Sequence, residues 1–151
     1  MSDQAPAVAV MPQRVSMIMV GACDIPRLRR FYEQGLGWTP WRSGGKGSIM
    51  YKVGYSVLVF LDANYLAKER GRDLTTGSKS SLAIFVGSRK DVDEMLAKAV
   101  EAGASITSPP RQRDGGLYSG YFADPEDNSW EFVCAPAMPM AENGELALSE
   151  Q

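Results

Sequence analysis

A chain of 151 residues, 44% of them hydrophobic, can bury about two-thirds of its unfolded surface in one domain, and no second independent core is expected. Its 16 Lys and Arg against 18 Asp and Glu give a formal charge of -2, so no net field favours nucleic acid or an anionic membrane as a partner. No apolar run reaches the ~18 residues that span a bilayer and the amino terminus lacks the order of a secretory signal, so a soluble cytoplasmic protein is expected.

Residues 1–13 are rich in Ala, Pro and Met without any period and read as a flexible tail. Arg14–Ala22 reads as a strand. Asp24 suits the cap of a following helix, with Pro26 in its first turn, where a missing N–H costs nothing. Ile25, Leu28, Phe31, Tyr32 and Leu36 recur at helical spacing, and Gly35 and Gly37 end the helix. Arg27, Arg29 and Arg30 fall on its solvated face. Three short strands are expected over Trp38–Arg42, Ser48–Val53 and Val57–Leu61, separated by Ser43-Gly44-Gly45 and by Gly54.

Residues 64–79 form a polar, glycine-punctuated linker, after which the order starts again. Ser81–Val86 reads as a strand, and Ser88 with Asp91 resembles a capping box. Val92, Met95, Leu96 and Ala99 make an apolar stripe, Gly103 ends it, and strands follow at Ser105–Thr107, Gly120–Ala123 and Ser129–Cys134. Residues 137–151 read as a second flexible tail. Cys23 and Cys134 are too few for a disulfide framework and are expected as free thiols.

The interval from Asp24 to Ser88 nearly equals that from Gly37 to Gly103, so the chain carries two copies of one βαβββ unit, residues 14–63 and 80–136, in a single domain spanning 14–136. The fold class is α+β. Each unit covers one strand face with its own helix, leaving the other faces to form a cupped, mostly antiparallel sheet around a cavity.

That double βαβββ order, with the strings RLRRFYEQGLGW, VDEMLAKAVEAGA and YSGYFADPEDNSWEF, resembles the vicinal-oxygen-chelate superfamily of glyoxalases, bleomycin-resistance proteins and extradiol dioxygenases. One departure is Asp127, where relatives usually carry Gly; Asp tolerates a left-handed turn better than most residues, so the fold is unaffected. The resemblance implies a metal held by side chains from the first strand of each module and by a Glu near the end of the last strand. Those positions fall on Met17, Ile84 and Glu131. The chain contains no histidine, and one carboxylate beside a thioether and an alkyl group cannot hold a divalent lyase or oxygenase ion, so no metal and no other cofactor is expected. The missing histidine also removes His-based nucleophilic and acid–base schemes, leaving Glu131, a Tyr or a Lys to carry any catalysis.

Met17 and Met19 are two apart on one strand and share a face, which the resemblance turns toward the cavity; Met50 joins them from the third strand. Flexible thioethers suit a flat or irregular hydrophobic ligand, and they equally suit a filled core. Trp38, Trp41, Tyr51, Tyr118 and Tyr121 lie near the cavity mouth, either stacking on a planar ligand or packing the strands. The stretch Arg111–Gly120 is a cavity-edge lid or a solvated hairpin loop. Glu131 in an apolar cavity needs Arg111, Arg113, Lys52 or a ligand cation as a partner, and then serves as an acid–base group or an anchor for a basic ligand; the alternative is a carboxylate satisfied by hydroxyls and water.

Together these expectations give a metal-free binding protein in the bleomycin-resistance style, a homodimer that sequesters a small aromatic or amphipathic molecule, an antibiotic among the candidates. Met17, Met19, Met50, Trp38, Tyr51, Ile84, Tyr118, Tyr121 and Arg111 are its expected ligand contacts. The competing readings are an enzyme of the same superfamily, a lyase, isomerase or oxygenase acting through Glu131, and an interaction module whose cavity its own side chains fill.

Overall fold

Each module begins with a strand that leads through a side-chain cap into a helix. In the computed structural model, which describes residues 13–41, 47–71 and 80–147, the first strand is β1 (Met17–Ala22). Asp24 Oδ1 then accepts the Arg27 N–H at 3.0 Å and opens α1 (Ile25–Arg29), with Pro26 in the first turn. The helix continues as a π-helical segment, Arg30–Gly35, in which the Leu36 N–H reaches Phe31 O at 2.9 Å. Phe31 and Tyr32, neighbours in sequence, both turn inward on this wider turn and are buried.

β2 (Ser48–Val53) and β3 (Ser56–Asp62) form a hairpin whose turn uses Gly54 at φ +60°. β3 also pairs in parallel with β1, which gives a three-stranded sheet in the order β1-β3-β2. Asp62 then caps α2 (Ala63–Arg70), which ends at Gly71 in the left-handed region. This helix occupies ground expected to be linker. Its sequence carries no apolar stripe, and Leu66 is its buried anchor.

The second module runs β4 (Ser81–Phe85), α3 (Arg89–Ala102), β5 (Ser105–Gln112), β6 (Tyr118–Ala123) and β7 (Ser129–Cys134), with sheet order β4-β7-β6-β5. Ser88 Oγ accepts the Asp91 N–H at 3.1 Å, and Gly103 at φ +116° ends α3, as the capping and stop signals imply. β5 runs past Thr107 because two register shifts, between Ile106 and Ser108 and between Ser108 and Arg111, absorb Pro109 and Pro110.

One expected strand is not formed. Among the described residues of Trp38–Arg42, the chain at 38–41 is irregular, and Arg42 lies outside them. Pro40 has no N–H to donate, although the Trp41 N–H still reaches Met50 O at 2.9 Å and guides the segment past β2. The α+β class and the two-module order are as expected, with three strands in the first described sheet and four in the second. In the stretch read as a carboxy-terminal tail, residues 137–147 form a turn closed by the Met140 and Leu146 bridge, and Glu145 folds back beside Gly54.

The modules meet through their helix-covered sides. One core joins Leu28, Phe31 and Tyr32 of the first to Leu96, Trp130 and Phe132 of the second. Where the π segment crosses α3 the backbones approach so closely that a Cβ on Gly35 would collide with the Ala102 side chain. Glu126 draws the β6–β7 turn against the entry of α1, its carboxylate accepting the Cys23 N–H at 2.6 Å and the Asp24 N–H at 3.1 Å. The sheet faces opposite the helices are therefore turned outward, away from each other.

Candidate functional site

Side chains alternate across a strand, and the ladder register assigns each to a face. In the first sheet Met19 pairs with Val59 and Val59 with Met50, so all three share the outward face, together with Met17 and Leu61. They line a shallow depression of about 510 Å³, with Ser48, Asp62 and Tyr65 at its margin. Met17 is 41% exposed and Met19 57%, so these thioethers form an apolar surface rather than core. The expected grouping of Met17, Met19 and Met50 is present.

On the second sheet the outward face carries Glu131, flanked by Ala83 on β4 and Tyr121 on β6. The Glu131 carboxylate, first as acceptor for the Tyr121 hydroxyl, and then burial, hold that phenol above its ordinary pKa. The Arg113 guanidinium lies 5.1 Å from the Tyr121 ring centroid. It is fixed there by donating to Ser119 Oγ at 2.8 Å and to Ser108 Oγ at 2.9 Å, and Ser119 is fully buried beneath it. Carboxylate, phenol and guanidinium thus form one polar row.

Other expected contacts point elsewhere. Ile84 pairs with Phe132 on the helix side, so the outward residue beside Glu131 is Ala83, one position earlier. A one-residue shift of register reverses every side chain, and the periodicity of an apolar five-residue strand does not reveal it. Tyr51 is 1% exposed in the aromatic cluster with Tyr32 and Trp38, and among the described residues its hydroxyl has no hydrogen-bond partner. Burial first, and then the Glu33 charge, push that hydroxyl's pKa well above its ordinary value. Trp38 also packs on the helix side. Tyr118 donates to Asp93 Oδ1 on α3 at 2.7 Å, with the Arg89 guanidinium over its ring. Arg111, by contrast, is exposed on β5 and, paired with Ser119, stays on the outward face.

The stretch Arg111–Gly120 is largely a hairpin, in which β5 and β6 pair as far as Gln112 and Tyr118 around a single turn at Asp114–Gly116. Arg111 on β5 and Arg113 just past its end, two apart, share the outward face, and Arg113 is the one whose guanidinium is held over the Tyr121 ring. Alternation puts both on one face, and the hydrogen bonds to Ser119 and Ser108 select Arg113.

Could these residues hold a metal? Beside Glu131 stand the Tyr121 phenol and, on β4, the Ala83 methyl group, which is no donor. Among the described residues no three His, Cys, Asp or Glu side chains are grouped as a metal would need, and the chain has no histidine. This donor set does not fit a divalent ion.

The family model described as Glyoxalase/Bleomycin resistance protein/Dioxygenase superfamily matches residues 14–132. Among solved structures, a glyoxalase-related enzyme from Fulvimarina pelagi is 27% identical, with a TM-score of 0.84, covering 92% of this chain and 100% of that one. A glyoxalase/bleomycin resistance protein/dioxygenase family enzyme from Burkholderia phytofirmans PsJN is 24% identical over 80% of this chain and 97% of its own, TM-score 0.71. A glyoxalase/bleomycin resistance protein/dioxygenase from Nocardioides is 19% identical over 95% and 93%, TM-score 0.71. The latter two likenesses speak for the fold alone. No curated protein matches the chain.

Proposed function

The chain belongs to the Glyoxalase/Bleomycin resistance protein/Dioxygenase superfamily, and within it we propose a metal-free small-molecule-binding protein that sequesters an aromatic or amphipathic ligand against its outward sheet faces. The observation that carries this reading is the exposed depression of Met17, Met19, Met50, Val59 and Leu61. Its volume of about 510 Å³ falls within the ~300–1,000 Å³ of small-molecule sites. Thioethers are deformable and polarisable, so one surface adapts to flat ligands of different outline.

A face this apolar and this exposed favours being covered. The protein works as a cytoplasmic homodimer in which the thioether face of one copy lies opposite the Glu131 face of the other, so that the ligand is held between them. Glu131 anchors a basic group on that ligand, while Arg113 stays engaged with Ser119 and Ser108. Light scattering combined with calorimetric titration of aromatic amines tests this. A dimer that binds stoichiometrically without turnover supports it; a monomer that binds nothing in a broad screen at high concentration sinks it.

The second reading, an enzyme acting through Glu131, draws on the Tyr121 phenol and Glu131 carboxylate lying side by side as a proton-transfer pair. Turnover that disappears in Glu131→Gln while ligand binding persists would replace the binding protein with that enzyme.

A further inference from the structure

We infer that the protein has a second ligand site, on the opposite side of the sheets from the thioether face, that takes a single-ring aromatic carboxylate. A cavity of about 190 Å³ lies between the modules, walled by Trp38, Ile84, Met95, Phe122 and Trp130, with Lys98 as the charged side chain of its lining. It is too small for a drug-sized ligand. It slightly exceeds the roughly 150 Å³ at which an apolar protein cavity stays dry and accepts benzene.

Water has little to hold there. Trp130 Nε1 already donates to the Tyr32 hydroxyl at 2.9 Å, and that hydroxyl donates to Asp124 Oδ2 at 2.7 Å, so these polar atoms of the wall are used within the protein. The rings instead offer π surfaces at several angles: Trp38 meets Trp130 edge-on at 5.8 Å and an interplanar angle of 82°, whereas Phe122 lies parallel to Trp130 at 6.3 Å. A planar ring inserted among them finds both edge and face contacts.

Lys98 gives the ligand its charge. It stands on the exposed side of α3 and, among the described residues, has no ion-pair partner, neither Glu94 nor Glu101 being paired with it. A ring buried in the cavity therefore places its carboxylate at the mouth, beside the ammonium. The site uses Trp38 and Ile84, which the outward faces leave unused, and it does not depend on the dimer.

Benzoate and toluene are the probes, followed by tryptophan fluorescence and by the methyl resonances of isotopically labelled methionine. Saturable quenching by millimolar benzoate is expected, with movement of the Met95 methyl while those of Met17, Met19 and Met50 stay in place; this separates the cavity from the thioether face. Lys98→Met weakens benzoate about fivefold, as expected for a solvent-exposed charge pair, and leaves toluene unchanged. Met95→Trp, which fills the cavity, abolishes both; a denaturation curve verifies that this variant folds, and Lys98→Met carries the test if it does not. Absence of saturation, movement of the outward methionines in place of Met95, or equal weakening of both probes by Lys98→Met overturns the inference.

Discussion

Tyr32 and Asp124, 92 positions apart, are joined by a buried 2.7 Å hydrogen bond that ties the π turn of the first module to the β6–β7 turn of the second. Asp124 is itself held by the N–H groups of Glu126 and Asn128 and by the Asn128 side-chain amide, while Trp130 Nε1 donates to the same Tyr32 oxygen. The network bridges the two modules. Tyr32→Phe leaves the Trp130 N–H and one Asp124 lone pair unsatisfied in the core, at a cost of about 1–3 kcal/mol. Urea denaturation measures it, and a loss below about 0.5 kcal/mol would show that the network is not coupling the modules.

The same burial predicts alkaline sensitivity. Burial first, and then the Asp124 charge, push the Tyr32 phenol far above its ordinary value, and burial acts likewise on Tyr51. The unfolded chain therefore ionises these phenols before the folded one does. Their contribution to stability is complete below about pH 10 and declines as pH rises beyond it. Stability against urea, measured from pH 8 to 11, should be flat at first and then fall, and the fall should be shallower in Tyr32→Phe.

Gly35 and Ala102 test the other inter-module contact. No space exists for a Cβ at Gly35, because the Ala102 methyl and backbone occupy it. Gly35→Ala should therefore destabilise by roughly 1–3 kcal/mol through overpacking, despite the better helix propensity of Ala. Ala102→Gly reopens the space, so the double variant should recover part of the loss. A strictly additive cycle would refute the collision.

The sequence was most readable where chemistry forces a local outcome. Asp24 and Ser88 as caps, Gly103 as a stop, and the bounds of β2 and β7 follow from residue types alone. The bounds of α2 do not, since a polar segment without an apolar stripe carries no helical signal beyond its cap. The site was readable in part. Alternation on β1 grouped Met17 with Met19, but the phase of β4 was one residue off, which put Ile84 where Ala83 stands. Tyr51 and Trp38 share the composition of cavity aromatics, and only packing shows that they face the helices. Arg111 and Arg113 share a face by alternation, and only the packing of Arg113 on Ser119 and Ser108 shows which guanidinium lies over Tyr121.

Asp127 is the described non-glycine residue with positive φ, at +66°, in the turn where Asp124 O accepts its N–H at 2.9 Å. A left-handed conformation costs an ordinary L-residue about 1–2 kcal/mol, and Asp somewhat less because its short polar side chain bonds locally. Asp127→Val should therefore lower stability by at least about 1 kcal/mol, whereas Asp127→Gly should be neutral or slightly stabilising. Thermal denaturation of both variants decides it, and equal melting temperatures would show that the turn relaxes to negative φ.

Glu131 and Tyr121 give a readout of the outward face that needs no ligand. The carboxylate is the first cause of the raised Tyr121 pKa, so Glu131→Gln should let that phenol ionise at lower pH, nearer its ordinary value of about 10. Spectrophotometric titration of tyrosinate, with Tyr121→Phe to assign the signal, measures the shift. In the proposed dimer the thioether face of the partner covers this pair, which adds desolvation and raises the phenol further. Met19→Glu places a charge on that apolar face, where the 57% exposure of Met19 leaves room for it within one chain. It should separate the copies, abolish binding at the sheet face and lower the Tyr121 pKa together. A Met19→Glu protein that remains dimeric would place the contact between copies on another surface.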